Sequence, residues 1–417
     1  MTERLVLFED AHWGDLSPLT DLLPVHALAF GDSCLATRWM RAIPEASPGP
    51  FVGRSGALAA WGMAPRESRI DPSDPVLAIN VAAMPGSWLA PLIEEGGLAL
   101  WMAGERVIGA RAPFKDLAAG LPRGADFASF LRESKLPEVR IEARVLRWPW
   151  DLVEWNPEAL VADLESARPE SAGEVHRLAA LYEPDRISVG AGARVDALAV
   201  LDARSGPIRL GPRVIVMPHT IVAGPCVVGE GTELLTRVVS RSTIGPECRI
   251  AGEVDSSVWQ GYANKRHHGF VGHSMVGEWA NLGALTTTSD LKNTYGEVRV
   301  WAAGREVATG SPKIGSFIGA HVKTGIGTLL PTGASIGTGS NLFGGGRFAP
   351  KRVPAFTWWD GERSVEHRLD RFLETAQIAM SRRGRTLDSD TRRAIEGLHA
   401  GSREDREALS PRVFRPA

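Results

Sequence analysis

Between Ile187 and Leu342 the large apolar residues return every six positions, and that period leaves the chain very few folds. Val189, Val195 and Leu201 open the series, and Leu210, Val216, Val222, Val228 and Leu234 extend it after an insertion. Ile244 and Ile250 resume it, then Phe270, Val276 and Leu282, then Ile318, Thr324, Leu330, Ile336 and Leu342. A strand repeats every second residue and a helix about every 3.6, so neither gives this spacing. Four positions after most of these residues stands a small or β-branched one, as at Ala193, Thr220, Cys226, Cys248, Ala280 and Ser340. Glycine often follows the apolar residue directly, as at Gly229, Gly245, Gly277 and Gly337. A coil of three short strands satisfies all of this: large side chains fill a triangular prism and small ones take its corners. Residues 187–350 are therefore expected to form a left-handed parallel β-helix of hexapeptide repeats.

The rest of the chain divides around that coil. Residues 1–167 read as an α/β domain, with buried strands at Leu5-Val6-Leu7-Phe8 and Val76 to Val81. Further strands are expected at Leu98–Met102, Glu105–Gly109 and Arg140–Leu146, and a helix at Pro157–Ala167. Such a sheet places ligands at the carboxyl ends of its strands, where Glu9, Asp10 and Asn80 stand. A Pro/Glu/Ser segment makes 168–186 a linker. Residues 351–417 form a helical tail: Leu369, Phe372, Leu373, Ala376 and Ile378 keep helical spacing, and Gly384 is a stop. A second helix is expected over Asp388–His399, followed by a loose charged end. These helices would cap the exposed strand edge at the end of the coil.

Composition narrows the function classes. A net charge of −2 gives no field to draw nucleic acid or an anionic membrane. No apolar run approaches the roughly eighteen residues that span a bilayer, and the charged start is no signal peptide. Three cysteines, Cys34, Cys226 and Cys248, suit reduced thiols, so a cytoplasmic location is expected. Cys226 and Cys248 fall at corner positions of the coil, where packing accounts for them. The seven lysines are scarce beside arginine, yet Lys265, Lys292, Lys313 and Lys323 all lie between 261 and 330.

That same stretch concentrates the chemistry. Residues 261–293 hold His267, His268, His273, Lys265, Lys292, Asn264, Asn281 and Asn293. Imidazole titrates near neutrality and can take a proton from an ammonium group. The asparagines and lysines suit hydroxyl and phosphate recognition. For each of these residues a purely structural role is the competing explanation, and for Ala284 the small corner of a coil serves equally.

The chain here resembles a known family. Gly261-Tyr262-Ala263-Asn264-Lys265-Arg266-His267, Gly269-Phe270-Val271-Gly272, Gly277 to Ala284 and Ser289 to Gly296 are similar to the acetyltransferase half of a variant bacterial family. That family is described as bifunctional UDP-N-acetylglucosamine pyrophosphorylase/glucosamine-1-phosphate N-acetyltransferase. The opening Leu5-Val6-Leu7-Phe8-Glu9-Asp10, the Asn80 strand and Trp148-Pro149-Trp150-Asp151 also resemble it. The resemblance implies a sugar-nucleotidyltransferase-like α/β domain before a homotrimeric coil, with acetyl-CoA bound between neighbouring prisms. It implies His267 as the catalytic base, with His268 and His273 as understudies. Lys265, Asn281, Asp290 and Lys292 would contact the amino-sugar phosphate, and main-chain groups at Ala284 would meet the pantetheine arm of acetyl-CoA. A nucleoside triphosphate with Mg2+ would belong to the α/β domain if that half is active.

The sequence also departs from the family. Asp10 to Pro24 holds one glycine and no lysine, so the usual cradle for nucleotide phosphates is missing, with Arg38 or Arg41 as replacement cations. Phe270 stands where the better-known enzymes carry a tyrosine, and Asp290 where they carry an asparagine. Two other readings follow from the same residues: a noncatalytic sugar-nucleotide-binding scaffold, and a zinc-dependent β-helix enzyme using the three histidines.

Overall fold

Leu5, Val6, Leu7 and Phe8 are all buried because the strand they form has apolar layers on both faces. The computed structural model describes residues 3–63, 70–166, 169 and 171–409. In its first part a six-stranded sheet runs in the order Ser47–Val52, Arg4–Phe8, Pro75–Asn80, Arg106–Pro113, Ala99–Ala103, Glu138–Arg140. Arg4–Phe8 is parallel to both its neighbours, while Arg106–Pro113 is antiparallel to both of its own. Four of the five expected strands are present. Arg140–Leu146 does not: the strand there is Glu138–Arg140, and only a bridge between Ala83 and Val145 follows. The edge strand Ser47–Val52 went unread because Pro48 and Pro50 argue against a strand; an edge tolerates them. The helix Asn156–Glu165 follows a shorter one, Pro149–Glu154. Residues 167 and 168, where helix and linker were to meet, lie outside the described residues.

The coil then rises as stacked triangular turns, and its rungs define three interior ladders. The first comprises Val189, Leu210, Val228, Ile244, Trp259, Val276, Ile318, Ile336 and Val353, paired one above the next. The second runs Val195, Val216, Leu234, Ile250, Lys265, then Leu282, Thr324, Leu342, Trp359. The third runs Leu181, Leu201, Val222, Val239, Val254, Val271. Apart from Leu181, which is partly buried, every interior residue is buried. Segment 168–186 supplies the first described rungs, since Glu174–Val175 and Ala180–Tyr182 pair into the coil. Cys226 and Cys248 sit buried in its core, and burial pushes both thiols up to about 12.

The expected register fails at one point. Phe270 does not face inward; Val271 takes the rung above Val254, and the Phe270 ring lies half-buried outside. Trp259, Lys265 and Val271 keep the period of six, but the step from Val271 to Val276 is five residues. Counting back six from Val276 therefore lands on Phe270, one residue out of register, and in a strand a one-residue slip exchanges inside for outside.

The α/β domain and the coil share one apolar core. Val258, Met275 and Phe317 project from the outer face of the coil into the cluster built on Leu5, Leu7, Trp39 and Trp150. A hairpin, Arg299–Ala302 with Arg305–Ala308, adds Val298, Val300 and Ala302 to it. Gln260 fastens the junction: its amide nitrogen donates to the Ala27 carbonyl at 2.5 Å, and its oxygen accepts from the Ala29 N–H at 3.0 Å.

The C-terminal helices do more than cap the coil. Its last face is closed by Ser364–Glu366, antiparallel to Thr357–Trp359. Helix Leu369–Ser381 instead lies along the flank, packing Phe372, Leu373, Ala376 and Met380 against Trp279 and Phe356. Helix Ser389–Gly401, capped by Asp388 accepting from the Thr391 N–H, packs on helix Ser55–Ala60 of the first domain. The expected loose end, residues 410–417, lies outside the described residues. No helix among the described residues is long and apolar enough to cross a membrane.

Candidate functional site

The loop 266–269 leaves the coil at a corner between two ladders, and its geometry begins with Lys265. This lysine occupies an interior rung where an aliphatic residue is the rule, and it has no exposed surface. Its ammonium donates to the carbonyls of His267 at 3.0 Å and His268 at 2.9 Å. Burial lowers it to about 8. Lys265 is thus no contact for a sugar phosphate, as the resemblance had implied; it is an internal brace. The reason is steric, since its stem fills the prism and its charge can reach only main-chain oxygens.

The braced loop turns His267 and His268 out into solvent. The His268 carbonyl also accepts the Leu285 N–H at 2.8 Å, so the loop rests on the turn that contains Ala284. The Ala284 carbonyl accepts from the Gly327 N–H at 2.8 Å, and the residue is half-buried. Asn281 is exposed on the neighbouring face, beside Asn264, whose side-chain oxygen accepts from Arg383 at 2.9 Å.

Asp290 lies at the next corner and meets a different histidine. Its carboxylate pairs with His273 Nδ1 at 2.8 Å, and that bond holds its carboxyl below the usual range. A Cβ added at Gly272 would stand 2.8 Å from the same oxygen and 2.2 Å from the Phe270 ring, so only glycine fits between them. Glu154, from the α/β domain, faces this pair; burial raises its carboxyl, against a hydrogen bond from Ser311. Lys292 is drawn away into the hairpin, its ammonium donating to the Glu297 carbonyl. The residues read from the sequence therefore form two groups: His267, His268, Asn281 and the Ala284 turn at one corner, and Asp290 with His273 at the other.

Among the described residues no three His, Cys, Asp or Glu side chains are placed to share a metal ion.

In the α/β domain the carboxyl end of the central strand is already satisfied. Glu9, with no exposed surface, accepts from Arg54 Nε at 3.0 Å, from the Arg54 N–H at 2.7 Å and from the Val25 N–H at 2.9 Å. Asp10 accepts a fork from Arg106 at 2.7 and 3.0 Å and the Asn80 amide at 2.8 Å. Burial alone would raise Asp10, and these donors more than offset it, leaving it below its ordinary value. Arg38 and Arg41 are equally committed, to Asp163 at 2.6 Å and Asp32 at 2.5 Å. No local motif announces these pairs, since Arg54 and Arg106 stand far along the chain from the acids they bind.

Residues 5–171 match the family described as sugar nucleotidyl transferase. A bifunctional sugar-1-phosphate nucleotidylyltransferase/acetyltransferase of Sulfurisphaera tokodaii is 32% identical over 135 residues, covering 32% of this chain and 29% of the relative. The bifunctional protein GlmU of Methanococcus vannielii is 27% identical over 131 residues, covering 31% of this chain and 27% of the relative. The match thus spans under a third of either relative. Among solved structures, a UDP-N-acetylglucosamine acyltransferase is 17% identical; that match covers 60% of this chain and 91% of that one, with a TM-score of 0.23.

Proposed function

We propose that the coil is an acetyl-CoA-dependent N-acetyltransferase for an amino-sugar phosphate of the glucosamine-1-phosphate kind. It serves sugar-nucleotide biosynthesis in the cytoplasm and works as a homotrimer. The observation that supports this best is the braced loop: Lys265 fixes the backbone of His267 from inside while leaving its ring in solvent. A second copy of the chain would complete that corner. Leu285, Ile326 and Phe343 are 56%, 72% and 64% exposed beside it, an apolar column with nothing on it in the single chain.

In this reading His267 takes the proton as the substrate nitrogen attacks the thioester carbonyl. The carbon–sulfur bond then breaks, and the thiol of coenzyme A leaves with a proton while the acetyl group stays on nitrogen. Asn281 orients the sugar through its hydroxyls. Main-chain groups of the Ala284 turn hold the pantetheine arm, and Asp290, fixed by His273, presents an acceptor to the sugar. Lys292, held by the Glu297 carbonyl before the hairpin, reaches the phosphate only by releasing it.

The first domain supports a narrower role. A metal-dependent nucleotidyl transfer needs carboxylates free to share Mg2+ between themselves and phosphate oxygens. Glu9 and Asp10 are each held by an arginine, so these residues do not fit that ion. We therefore infer that this domain binds a sugar nucleotide without turning it over.

A thiol-release assay with acetyl-CoA and a panel of amino-sugar phosphates tests the first reading. His267→Ala is expected to lose about a thousandfold or more in kcat, in line with removal of a general base. Unchanged turnover would remove His267 from the mechanism. Pyrophosphate release with each nucleoside triphosphate and Mg2+ tests the second, with no product expected.

A further inference from the structure

The phosphate of the proposed substrate still lacks a cation, because Lys265 is turned inside the prism and Lys292 is held by the Glu297 carbonyl. The outer face of the second ladder can supply one. Side chains alternate along each short strand, so the residues just before Lys265, Leu282, Thr324 and Leu342 point outward. These are Asn264, Asn281, Lys323 and Asn341, paired in register from one turn to the next, and no acid stands among them.

Two cations converge on Asn281, which is exposed. From the turn above, the half-buried Lys323 donates through its ammonium to the Trp279 carbonyl at 2.8 Å, which brings its charge to the turn that holds Asn281. From the other side, Arg383 stands just past the end of helix Leu369–Ser381 and donates through Nη2 to Asn264 Oδ1 at 2.9 Å. Neither cation forms an ion pair among the described residues, and the side-chain amides of Asn281 and Asn341 make no hydrogen bond there. Lys323 therefore keeps two N–H donors, and Arg383 keeps those of Nη1. The acids nearest in influence to Arg383 are already taken: Arg249 holds Glu233 at 3.0 Å and Glu247 at 3.5 Å. Glu278, in the turn before Trp279, lines the cavity at the domain junction with Leu22, Trp61 and His321.

A charge partly withdrawn from water without a counter-ion is unfavourable. Burial lowers the Lys323 ammonium to about 8, and burial followed by repulsion from Arg249 lowers Arg383. An anion between the two would relieve both. An ammonium, a guanidinium and an amide reach this point from different directions, which suits the several acceptor oxygens of a phosphate better than a planar carboxylate.

On the acetyltransferase reading above, we infer that Lys323 and Arg383 hold the 1-phosphate of the amino-sugar, one from each side of Asn281. Arg383 comes from the helical tail, so the tail is part of the substrate site as well as a cover for the coil. The pair makes the site selective for a phosphorylated amino-sugar over the free one.

Isothermal titration of the full chain with glucosamine 1-phosphate, glucosamine and coenzyme A tests this without any turnover. The parent is expected to bind glucosamine 1-phosphate about tenfold or more tightly than glucosamine, as contacts to a charged group do. Lys323→Met, which keeps the aliphatic stem, and Arg383→Gln are each expected to weaken the 1-phosphate about tenfold and to leave glucosamine and coenzyme A within about twofold. Lys323→Arg retains the charge and is expected to recover most of the lost affinity. The inference is overturned if the parent does not distinguish glucosamine from its 1-phosphate, or if the variants bind the 1-phosphate as the parent does. It is also overturned if a variant weakens glucosamine and its 1-phosphate equally, since the residue then only shapes the surface. Weakening of coenzyme A in place of the sugar phosphate overturns it too, because the cations then serve the cofactor. Thiol release judges the underlying reading separately: a chain that binds the 1-phosphate through these residues but releases no thiol keeps this site and loses the acetyltransferase.

Discussion

Lys265 shows how one residue can stand out in a sequence while the direction of its side chain stays hidden. Its scarcity and its place beside two histidines drew attention, and both remain pertinent. What the sequence could not convey is the direction of the side chain, because the short steps from Ile250 through Val254 to Trp259, and from Val271 to Val276, break the count by which inside and outside are told apart. Lys265→Met should keep the fold, since methionine fills the same rung, and should release the loop. Amide exchange over 266–269 is expected to quicken and acyl transfer to fall about tenfold or more, by loss of positioning. The pH dependence has a definite sign. A lysine at about 8 in the folded chain binds fewer protons than the unfolded chain between pH 8 and its ordinary 10.5. Stability contributed by this residue therefore rises across that window, and below it the full penalty of a buried charge applies. Thermal midpoints measured from pH 7 to 10 should show this rise in the parent and a flatter profile in Lys265→Met.

At the scale of elements, the strand Arg4–Phe8 was legible because a run of four apolar residues has few other uses. The coil was legible because Val189, Leu210, Val228 and their successors repeat one steric requirement at every turn. Trp259 and Lys265 escaped that pattern, as both follow steps of four and five residues, Ile250 to Val254 to Trp259, that shorten the repeat. Harder still were contacts made by folding alone. Glu278 and His321 are brought together because the turn after Val276 stacks beneath the turn after Ile318, which no local motif announces. The carboxyl end of Arg4–Phe8 is another such case, with Asp10 held by Arg106 from a strand two places away. Arg106→Ala leaves that buried carboxylate without its counter-ion, and should cost about 3 kcal/mol or more in urea denaturation. Arg41→Ala, at a pair whose arginine is 56% exposed, should cost about 1 kcal/mol or less. Equal losses in the two variants would show that the inner pair is not the stronger constraint.

For the whole molecule, the apolar column at the coil corner carries the prediction. Ile326 is 72% exposed and lies between Leu285 and Phe343, so an aspartate there should prevent any neighbour from seating. Ile326→Asp is expected to run as a monomer in light scattering, against a trimer for the parent, and to lose acyl transfer while retaining its thermal midpoint within a few degrees. A parent that is already monomeric would remove the shared corner from the proposed mechanism.

The return of the terminal helices to the first domain has a bearing on how the polypeptide is made. Helix Ser55–Ala60 leaves the ribosome early, while its cover, helix Ser389–Gly401, is translated only after the coil. Domains fold as they emerge, so the Leu22 and Trp61 face must wait uncovered through the synthesis of every intervening turn. A nascent chain of this kind offers a sticky surface to chaperones for most of its production, and a stalled message would leave that surface open for good.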